Sequence, residues 1–158
     1  MEKRTKGKLL RVWGVCGLCL CALLAVKWLV LDDAVPRLRL LEEIDCFGGG
    51  EPVVVCRMTN LSTKFVYHGT EFWVERWNED TSAWGEYLEE GREVNFTLPL
   101  MALAPLGSKT VEYPAYYFAE HFAVGRYRVA QTVRCGAFRD WRGGEEVTLY
   151  CEFTVTAP

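Results

Sequence analysis

Histidine is scarce in this chain, which contains only His68 and His121 among its 158 residues. Neither of them accompanies a nucleophile motif, because the sequence has no G-x-S-x-G segment. We expect both to be partly exposed loop residues, with His68 in the turn VYHGT. The cysteines after residue 31 contain no C-x-x-C pair, so a zinc ribbon is not expected. The glycine run at 48–50 lacks the lysine and the helix of a phosphate-binding loop. We therefore expect no catalytic residues, no metal site and no cofactor.

Charge is nearly absent from residues 12–31, where Lys27 is the only charged side chain. Twenty helical residues span about 30 Å, the thickness of the hydrocarbon core of a bilayer. Trp13 and Trp28 lie near the two ends of this run, as interfacial aromatic residues do. We predict a transmembrane signal-anchor helix over residues 9–31, with a cleaved signal peptide as the alternative.

Charge is also distributed unevenly along the chain. The first 31 residues carry six basic side chains and one acidic one, whereas the remainder carries 12 basic and 20 acidic side chains. Because basic flanks stay in the cytoplasm, we predict a cytoplasmic tail over residues 1–8, a linker over 32–37 and an extracytoplasmic domain over 38–158. The chain would then be a single-pass protein of the cell membrane. An acidic outer domain does not favour nucleic acid as a partner.

Long helical periodicity is missing after residue 37, so a parallel sheet with helical crossovers is excluded. Short segments with alternating apolar residues appear instead, among them EFWVERW, GRYRVAQTVRC and EVTLYCEFTV. Seven or eight such strands predict an all-β fold, an antiparallel β-sandwich. In GRYRVAQTVRC we expect Tyr127 and Val129 to face the core, and Arg126 and Arg128 to meet glutamates on the outer surface.

The seven cysteines form two groups. Three lie in the hydrophobic run, where cysteine acts as a small apolar residue. The other four lie in the exported part, and an even number there permits two disulfides with three connectivities. The strand phase of three of these four points toward the core, where bridges between sheets begin, but the pairing stays open. The candidate disulfide cysteines are Cys46, Cys56, Cys135 and Cys151.

Several segments resemble one family in order along the chain. They are VVVCRMTNLSTKFVYHGTEFWVERWNEDTSAW, LAPLGSKTVEY, FAVGRYRVAQTV and EEVTLYCEFTV. Over roughly residues 38–156 the chain resembles the small bacterial immunoglobulin-like domains of membrane-anchored surface proteins of Gram-positive bacteria. The resemblance implies an immunoglobulin-like sandwich that serves as an interaction or spacer module, with no catalytic residues to carry over. Val124 stands where the family commonly has proline, and the four cysteines are not expected of it.

Three tryptophans lie in and around one predicted hairpin, with several glutamates nearby: Trp73, Trp77 and Trp84. Exposed aromatic side chains with a polar rim are candidate interaction sites, so these residues form the predicted binding surface. The alternative is a solvated sheet face on which tryptophans pair across strands.

We therefore expect a non-enzymatic, membrane-anchored module that binds or scaffolds at the cell envelope. Its partner would be a protein or another envelope component, and no small-molecule substrate is predicted. Two alternatives remain. One is a small envelope hydrolase that acts on cell-wall glycan through the acidic tryptophan hairpin. The other is an accessory subunit of a membrane complex that pairs through its transmembrane helix.

Overall fold

The computed structural model describes residues 16–26, 30–31, 33–42, 51–97, 99–140 and 142–157. The chain divides into two units, Met1–Ala34 and Val35–Pro158. A helix covers residues 16–26 of the first unit. Over the residues just given, no helix is long and apolar enough to cross a membrane. The structure therefore gives no support to the predicted transmembrane helix over residues 9–31, part of which lies outside the described residues.

The second unit contains nine β-strands and one short 3-10 helix within its described residues. Alternating apolar side chains favour each long strand, and turn-forming Asn, Gly and Pro residues separate the strands. The strands are β1 (Arg37–Leu40), β2 (Val53–Thr59), β3 (Phe65–His68), β4 (Trp73–Asn78), β5 (Ala83–Glu86), β6 (Met101–Leu103), β7 (Ser108–Pro114), β8 (Gly125–Gly136) and β9 (Glu145–Val155), and the 3-10 helix is Ala115–Tyr117.

The strands form two antiparallel sheets. Sheet A has the order β1-β2-β7, and sheet B has the order β5-β4-β8-β3-β6 with β9 paired to β8. All of the pairings are antiparallel. One buried cluster joins residues of β2 and β7 with residues of β4, β8 and β9, so the two sheets share a core. The prediction of an all-β, antiparallel fold is confirmed.

β8 has two different neighbours along one of its edges. Its first half pairs with β4, from Arg76↔Tyr127 to Trp73↔Ala130. Its far end pairs with β3, from Tyr67↔Arg134 to Phe65↔Gly136. Residues 69–72 connect β3 to β4 between these two paired stretches of β8. There the Gln131 amide donates a hydrogen bond of 2.9 Å to the Gly69 carbonyl. We call this place, residues 69–72 and 131–133, the sheet split.

The alternation expected in GRYRVAQTVRC is confirmed. Tyr127 and Val129 are completely buried, whereas Arg126 and Arg128 lie on the outer face of sheet B. Opposite them, β9 buries Cys151 and Phe153 with the same two-residue period. Because of this regular alternation, one set of side chains of β8 and β9 lines the core and the other set lies on the outer face of sheet B.

The predicted disulfide cysteines are only partly described. Cys56, Cys135 and Cys151 are buried, as their strand phase predicted, and all three are free thiols in the structure. Cys46 lies outside the described residues. The structure therefore supports the inward orientation of these cysteines and shows no bridge among the three.

Candidate functional site

The outer face of sheet B carries a continuous strip of aromatic and charged side chains. It arises because β4, β5, β8 and β9 lie side by side, and every second residue of each strand points outward. We call this strip the arginine–aromatic ladder. Its residues are Glu75, Trp77, Trp84, Arg126, Arg128, Tyr150 and Glu152.

Trp77 and Trp84 meet at the end of the ladder. They are direct cross-strand partners, and their rings stand in a T-shaped arrangement with centroids 5.4 Å apart. The guanidinium carbon of Arg126 lies 5.3 Å from the Trp77 ring centroid. Arg128 lies 4.5 Å from the Trp84 centroid and 3.9 Å from that of Tyr150. Cation–π attraction therefore links the aromatic rings of three strands.

Each arginine of the ladder also has a carboxylate partner. Arg128 forms an ion pair with Glu75, and their side chains are only 18% and 20% exposed. Arg126 Nη2 lies 3.2 Å from Glu152 Oε2, and these two side chains are 49% and 57% exposed. The arginines thus meet glutamates, as expected from the sequence, and the ladder carries both signs of charge.

The Arg128–Glu75 pair should contribute more to stability than the Arg126–Glu152 pair. In a double-mutant cycle with alanine we expect a coupling energy of about 1–2 kcal/mol for Arg128 and Glu75, because partial burial reduces solvent screening. For the exposed pair we expect about 0.2–0.5 kcal/mol. Urea unfolding of the single and double variants measures both quantities. Equal coupling in the two cycles would contradict this ranking.

Trp73 lies apart from the other two predicted tryptophans. Its side chain is 43% exposed, and its ring approaches Phe96 and Phe118 with centroids 6.4 and 6.2 Å away. It borders a groove of about 540 Å³ beside the sheet split, which we call the split groove. The predicted surface therefore divides into the Trp77–Trp84 pair and a separate Trp73 site. The groove is also lined by Tyr67, His68, Thr132, Arg134 and Glu146.

His68 is a buried residue of the split groove. The sequence suggested a partly exposed loop histidine, and this expectation was wrong because His68 ends β3 and is 2% exposed. Its Nδ1 lies 2.9 Å from the Gly69 carbonyl oxygen, and its Nε2 has no hydrogen-bond partner within the described residues. Burial lowers the pKa of His68, the hydrogen bond to Gly69 opposes this effect, and the positive charge of Lys109 adds to it. The ring is therefore neutral near pH 7, with Nδ1 as the donor to Gly69.

This burial predicts a pH dependence of stability. The pKa of His68 is lower in the folded state than in the unfolded chain, so the contribution of the neutral ring is fully present above about pH 6.5. Below that pH the unfolded chain binds a proton that the folded chain does not. The unfolding free energy should then fall by about 1.4 kcal/mol per pH unit until the folded-state pKa is reached.

Urea titrations between pH 7 and pH 5 measure this slope. His68→Gln should remove the part of the slope that begins near pH 6.5. His121→Gln is the matched control, since the His121 side chain is 83% exposed. A wild-type slope that survives His68→Gln and disappears in His121→Gln would contradict the assignment.

No protein-family model matches the chain, and no curated protein matches its sequence. Among solved structures, a protein from Archaeoglobus fulgidus is similar over 79% of this chain and 98% of its own, with 12% sequence identity and a TM-score of 0.30. A likeness at that TM-score carries no argument about fold or function. The description of the ladder therefore rests on the strand pairings of this chain alone.

The sequence pointed to the tryptophans and placed Arg126 and Arg128 on the outer surface, but it did not single out Tyr150 or Glu152. Tyr150 was not singled out in the closing strand, although Arg128 lies directly over its ring. The arginine alternation of β8 was a usable signal, because arginine and aromatic residues at outward positions of adjacent strands form cross-strand pairs. What the sequence could not supply was the adjacency of β8 to both β4 and β9.

Proposed function

We propose that this chain is a non-enzymatic immunoglobulin-like module of the cell envelope, and that it binds a protein partner through the arginine–aromatic ladder. The observation that carries this proposal is the concentration of tryptophan, tyrosine and arginine on one outer face of sheet B. These three residue types dominate the binding energy of protein interfaces.

The outer face of sheet A offers a contrast within the same domain. Its outward positions are mostly polar or charged, among them Arg39, Arg57, Thr110 and Glu112, with Val55 as an apolar exception. No tryptophan belongs to its three strands. An interface hot spot therefore fits sheet B better than sheet A.

A protein partner fits the ladder better than a sugar does. Sugar rings bind on open aromatic faces, but the Arg128 guanidinium already lies close to the rings of Trp84 and Tyr150. The exposed arginine N–H groups and the glutamate oxygens can still bond to the main chain and charged side chains of another protein. The glycan hydrolase alternative is less well supported, because the Glu75 carboxylate is already engaged in an ion pair with Arg128.

The immunoglobulin-like assignment and the membrane attachment rest on different grounds. Two antiparallel sheets around one core, together with the family resemblance over residues 38–156, support the immunoglobulin-like part. The charge-poor run and its basic flank support attachment through residues 9–31, with the domain outside the cell. An accessory role through that same segment is compatible with a ladder that binds a protein.

Site-specific photo-crosslinking in cells tests the proposed binding face. A photoreactive amino acid is placed at Trp84 in the full-length chain, and the matched control carries it at Arg57 on sheet A. We expect a discrete protein adduct from position 84 and none from position 57, and Trp77→Ala should reduce its yield. The same adducts from both positions, or no adduct from position 84, would count against the ladder as the binding face.

Affinity measured with the identified partner extends the test. Trp84→Ala should weaken binding at least tenfold, which corresponds to about 1.4 kcal/mol. Thr110→Ala on the other sheet should change affinity less than twofold, as energetically neutral surface positions do. A Trp84→Ala variant with unchanged affinity and stability would overturn the role of the ladder.

A further inference from the structure

The second unit begins at one end of its two sheets, where several other strands also begin or end. In sheet A, Arg37 begins β1 and pairs with Thr59, which ends β2 and pairs with Ser108, the first residue of β7. In sheet B, Phe65 begins β3 and pairs with Gly136, the last residue of β8. We call this end of the domain, made of residues 35–37 and the connections 60–64, 104–107 and 137–144, the basal end.

Hydrogen bonds join the connections of the basal end. The connection 60–64 runs from sheet A to sheet B, and the connection 104–107 runs back from sheet B to sheet A. The Leu106 amide donates a hydrogen bond of 3.3 Å to the Ser62 carbonyl, which joins the two connections. The Tyr67 hydroxyl donates to the Ala137 carbonyl at 2.8 Å and accepts the Arg139 amide at 2.7 Å. The basal end is therefore a surface shared by both sheets and held by the backbone.

The basal end exposes large apolar side chains. Phe138 and Leu106 are 65% and 63% exposed, the highest values among the large apolar residues described in the second unit. Val35, its first residue, is 52% exposed. The Phe138 ring lies 5.1 Å from the Phe65 ring, centroid to centroid, so a neighbour holds it while most of its surface stays in solvent. Exposed apolar groups of this size mark interaction sites.

Basic side chains surround these apolar groups. Four of them belong to the residues of the basal end, namely Arg37, Lys64, Arg139 and Arg142. Within the described residues, the first three of these form no ion pair. The acidic residues here are Asp140 and, at the start of β9, Glu145. The basal end is therefore apolar and predominantly positive.

The opposite end of the sandwich carries the reverse charge. It contains the β4–β5 turn, the residues before β2, the start of β8 and the segment after β7. Its acidic residues include Glu51, Glu79, Asp80, Glu89 and Glu120. Val124 lies next to the start of β8 and is 56% exposed, so apolar exposure alone does not separate the two ends. Charge and the start of the domain do separate them.

We propose that the basal end is the face with which the domain lies on the membrane, and that it binds a bilayer surface containing anionic phospholipids. This proposal rests on the proposed function, which attaches the chain through residues 9–31. Only residues 32–34 separate that segment from Val35, and a chain of this length reaches at most about 14 Å. The attachment therefore brings the basal end, and not the acidic end, to the bilayer.

The side chains of the basal end match the chemistry of a bilayer surface. Aromatic rings favour the interfacial layer between headgroups and acyl chains, which suits Phe138. Leu106 adds apolar area at the same level. The guanidinium of Arg139 and the ammonium of Lys64 pair with lipid phosphates, which attract basic side chains near the membrane.

Photo-crosslinking to lipid tests this face. The full-length chain carries a photoreactive amino acid at Phe138 or at Leu106 and is reconstituted in vesicles of phosphatidylcholine mixed with phosphatidylglycerol. The matched control carries it at Val124, an exposed apolar position at the opposite end, about 35 Å away along β8. We expect phospholipid adducts from positions 138 and 106 and none from position 124. Equal adducts from positions 124 and 138, or a crosslink from position 138 to a second copy of the chain in place of lipid, would overturn the proposal.

Charge variants test the part played by the phosphates. Arg139→Gln should lower the adduct yield at position 106 about fivefold in the mixed vesicles, because each basic side chain near an anionic surface adds to the attraction. In vesicles of phosphatidylcholine alone it should change the yield little. Arg126→Gln is the matched control, since Arg126 lies near the opposite end and is also exposed. Equal losses for the two variants would overturn the role of the basal charges.

Alkaline extraction of the same vesicles separates this proposal from the membrane attachment itself. A chain that stays in the vesicles and gives adducts from position 138 supports both. A chain that stays without adducts from positions 138 and 106 would keep the attachment and overturn the basal end as the contact face. A chain that leaves the vesicles would overturn the attachment and this proposal together, because no segment would then hold the basal end at the bilayer.

Discussion

Tyr127→Ala is expected to lower the free energy of unfolding by about 3–5 kcal/mol, as aromatic truncations in well-packed cores do. Tyr127 is completely buried at the centre of the core that joins the two sheets. Its ring stacks on Phe153 with centroids 5.5 Å apart and meets the edge of Phe122 at 5.1 Å. Its hydroxyl donates a hydrogen bond of 2.9 Å to the Ala123 carbonyl. Alanine would remove the aromatic packing and leave that carbonyl without this donor.

Two variants separate the parts of this effect. Tyr127→Phe keeps the ring and removes only the hydroxyl, so it should cost about 1 kcal/mol. Tyr150→Ala truncates a tyrosine on the outer face of the adjacent strand, where the side chain is 46% exposed. That control should cost less than about 1 kcal/mol, because little apolar surface leaves the core. Urea unfolding followed by tryptophan fluorescence measures all three, and equal losses at positions 127 and 150 would contradict the inside–outside assignment of β8.

The sequence was sufficient to predict β8 and β9 because their alternation is long and regular. A two-residue period fixes which side chains share a face, and this fixed Tyr127 and Val129 inside and Arg126 and Arg128 outside. It did not fix the neighbours of β8. One edge of β8 pairs first with β4 and then with β3. Such pairing between distant strands cannot be predicted from local periodicity.

The same limit explains the outcome at three sites. Trp73 was grouped with Trp77 and Trp84 because all three lie near one hairpin. In the structure Trp73 lines the split groove, whereas Trp77 and Trp84 pack against each other. His68 stands next to Gly69 and was expected in a turn, but it is the last residue of β3 and its side chain is buried. The inward phase of Cys56 and Cys151 was predictable, whereas their membership of one core cluster required knowing that the two sheets share a core.

Asn60 combines a local motif with a long-range contact, and it carries the second large prediction. Asn60 is the residue directly after β2, and it is completely buried. Its Oδ1 accepts hydrogen bonds from the Ser62 amide at 3.0 Å and from the Ser62 hydroxyl at 2.8 Å. Its Nδ2 donates to the carbonyls of Lys64 at 2.7 Å and Ala104 at 3.0 Å. One amide group therefore holds the β2–β3 turn and attaches it to the loop after β6.

Asn60→Ala should lower the unfolding free energy by about 2–4 kcal/mol, because it leaves several polar groups without a partner in a buried place. Asn78→Ala is the matched control. The Asn78 side chain accepts from the amides of Asp80 and Thr81 in an exposed hairpin turn, so its loss should cost about 0.5–1 kcal/mol. Urea unfolding compares the two variants, and similar losses would show that burial of Asn60 adds nothing to its local turn contacts.

Asn60→Asp tests the direction of the hydrogen bonds. The carboxylate would keep the acceptor for Ser62 but would place a second oxygen against the Lys64 and Ala104 carbonyls, so at pH 7 it should destabilise more than alanine does. Protonation restores one donor, and burial raises the pKa of such a carboxyl above that of the unfolded chain. The deficit should therefore shrink as the pH falls through the raised folded-state pKa toward 4. An Asn60→Asp deficit that stays constant over this range would show that the Nδ2 bonds to the two carbonyls do not support the turn.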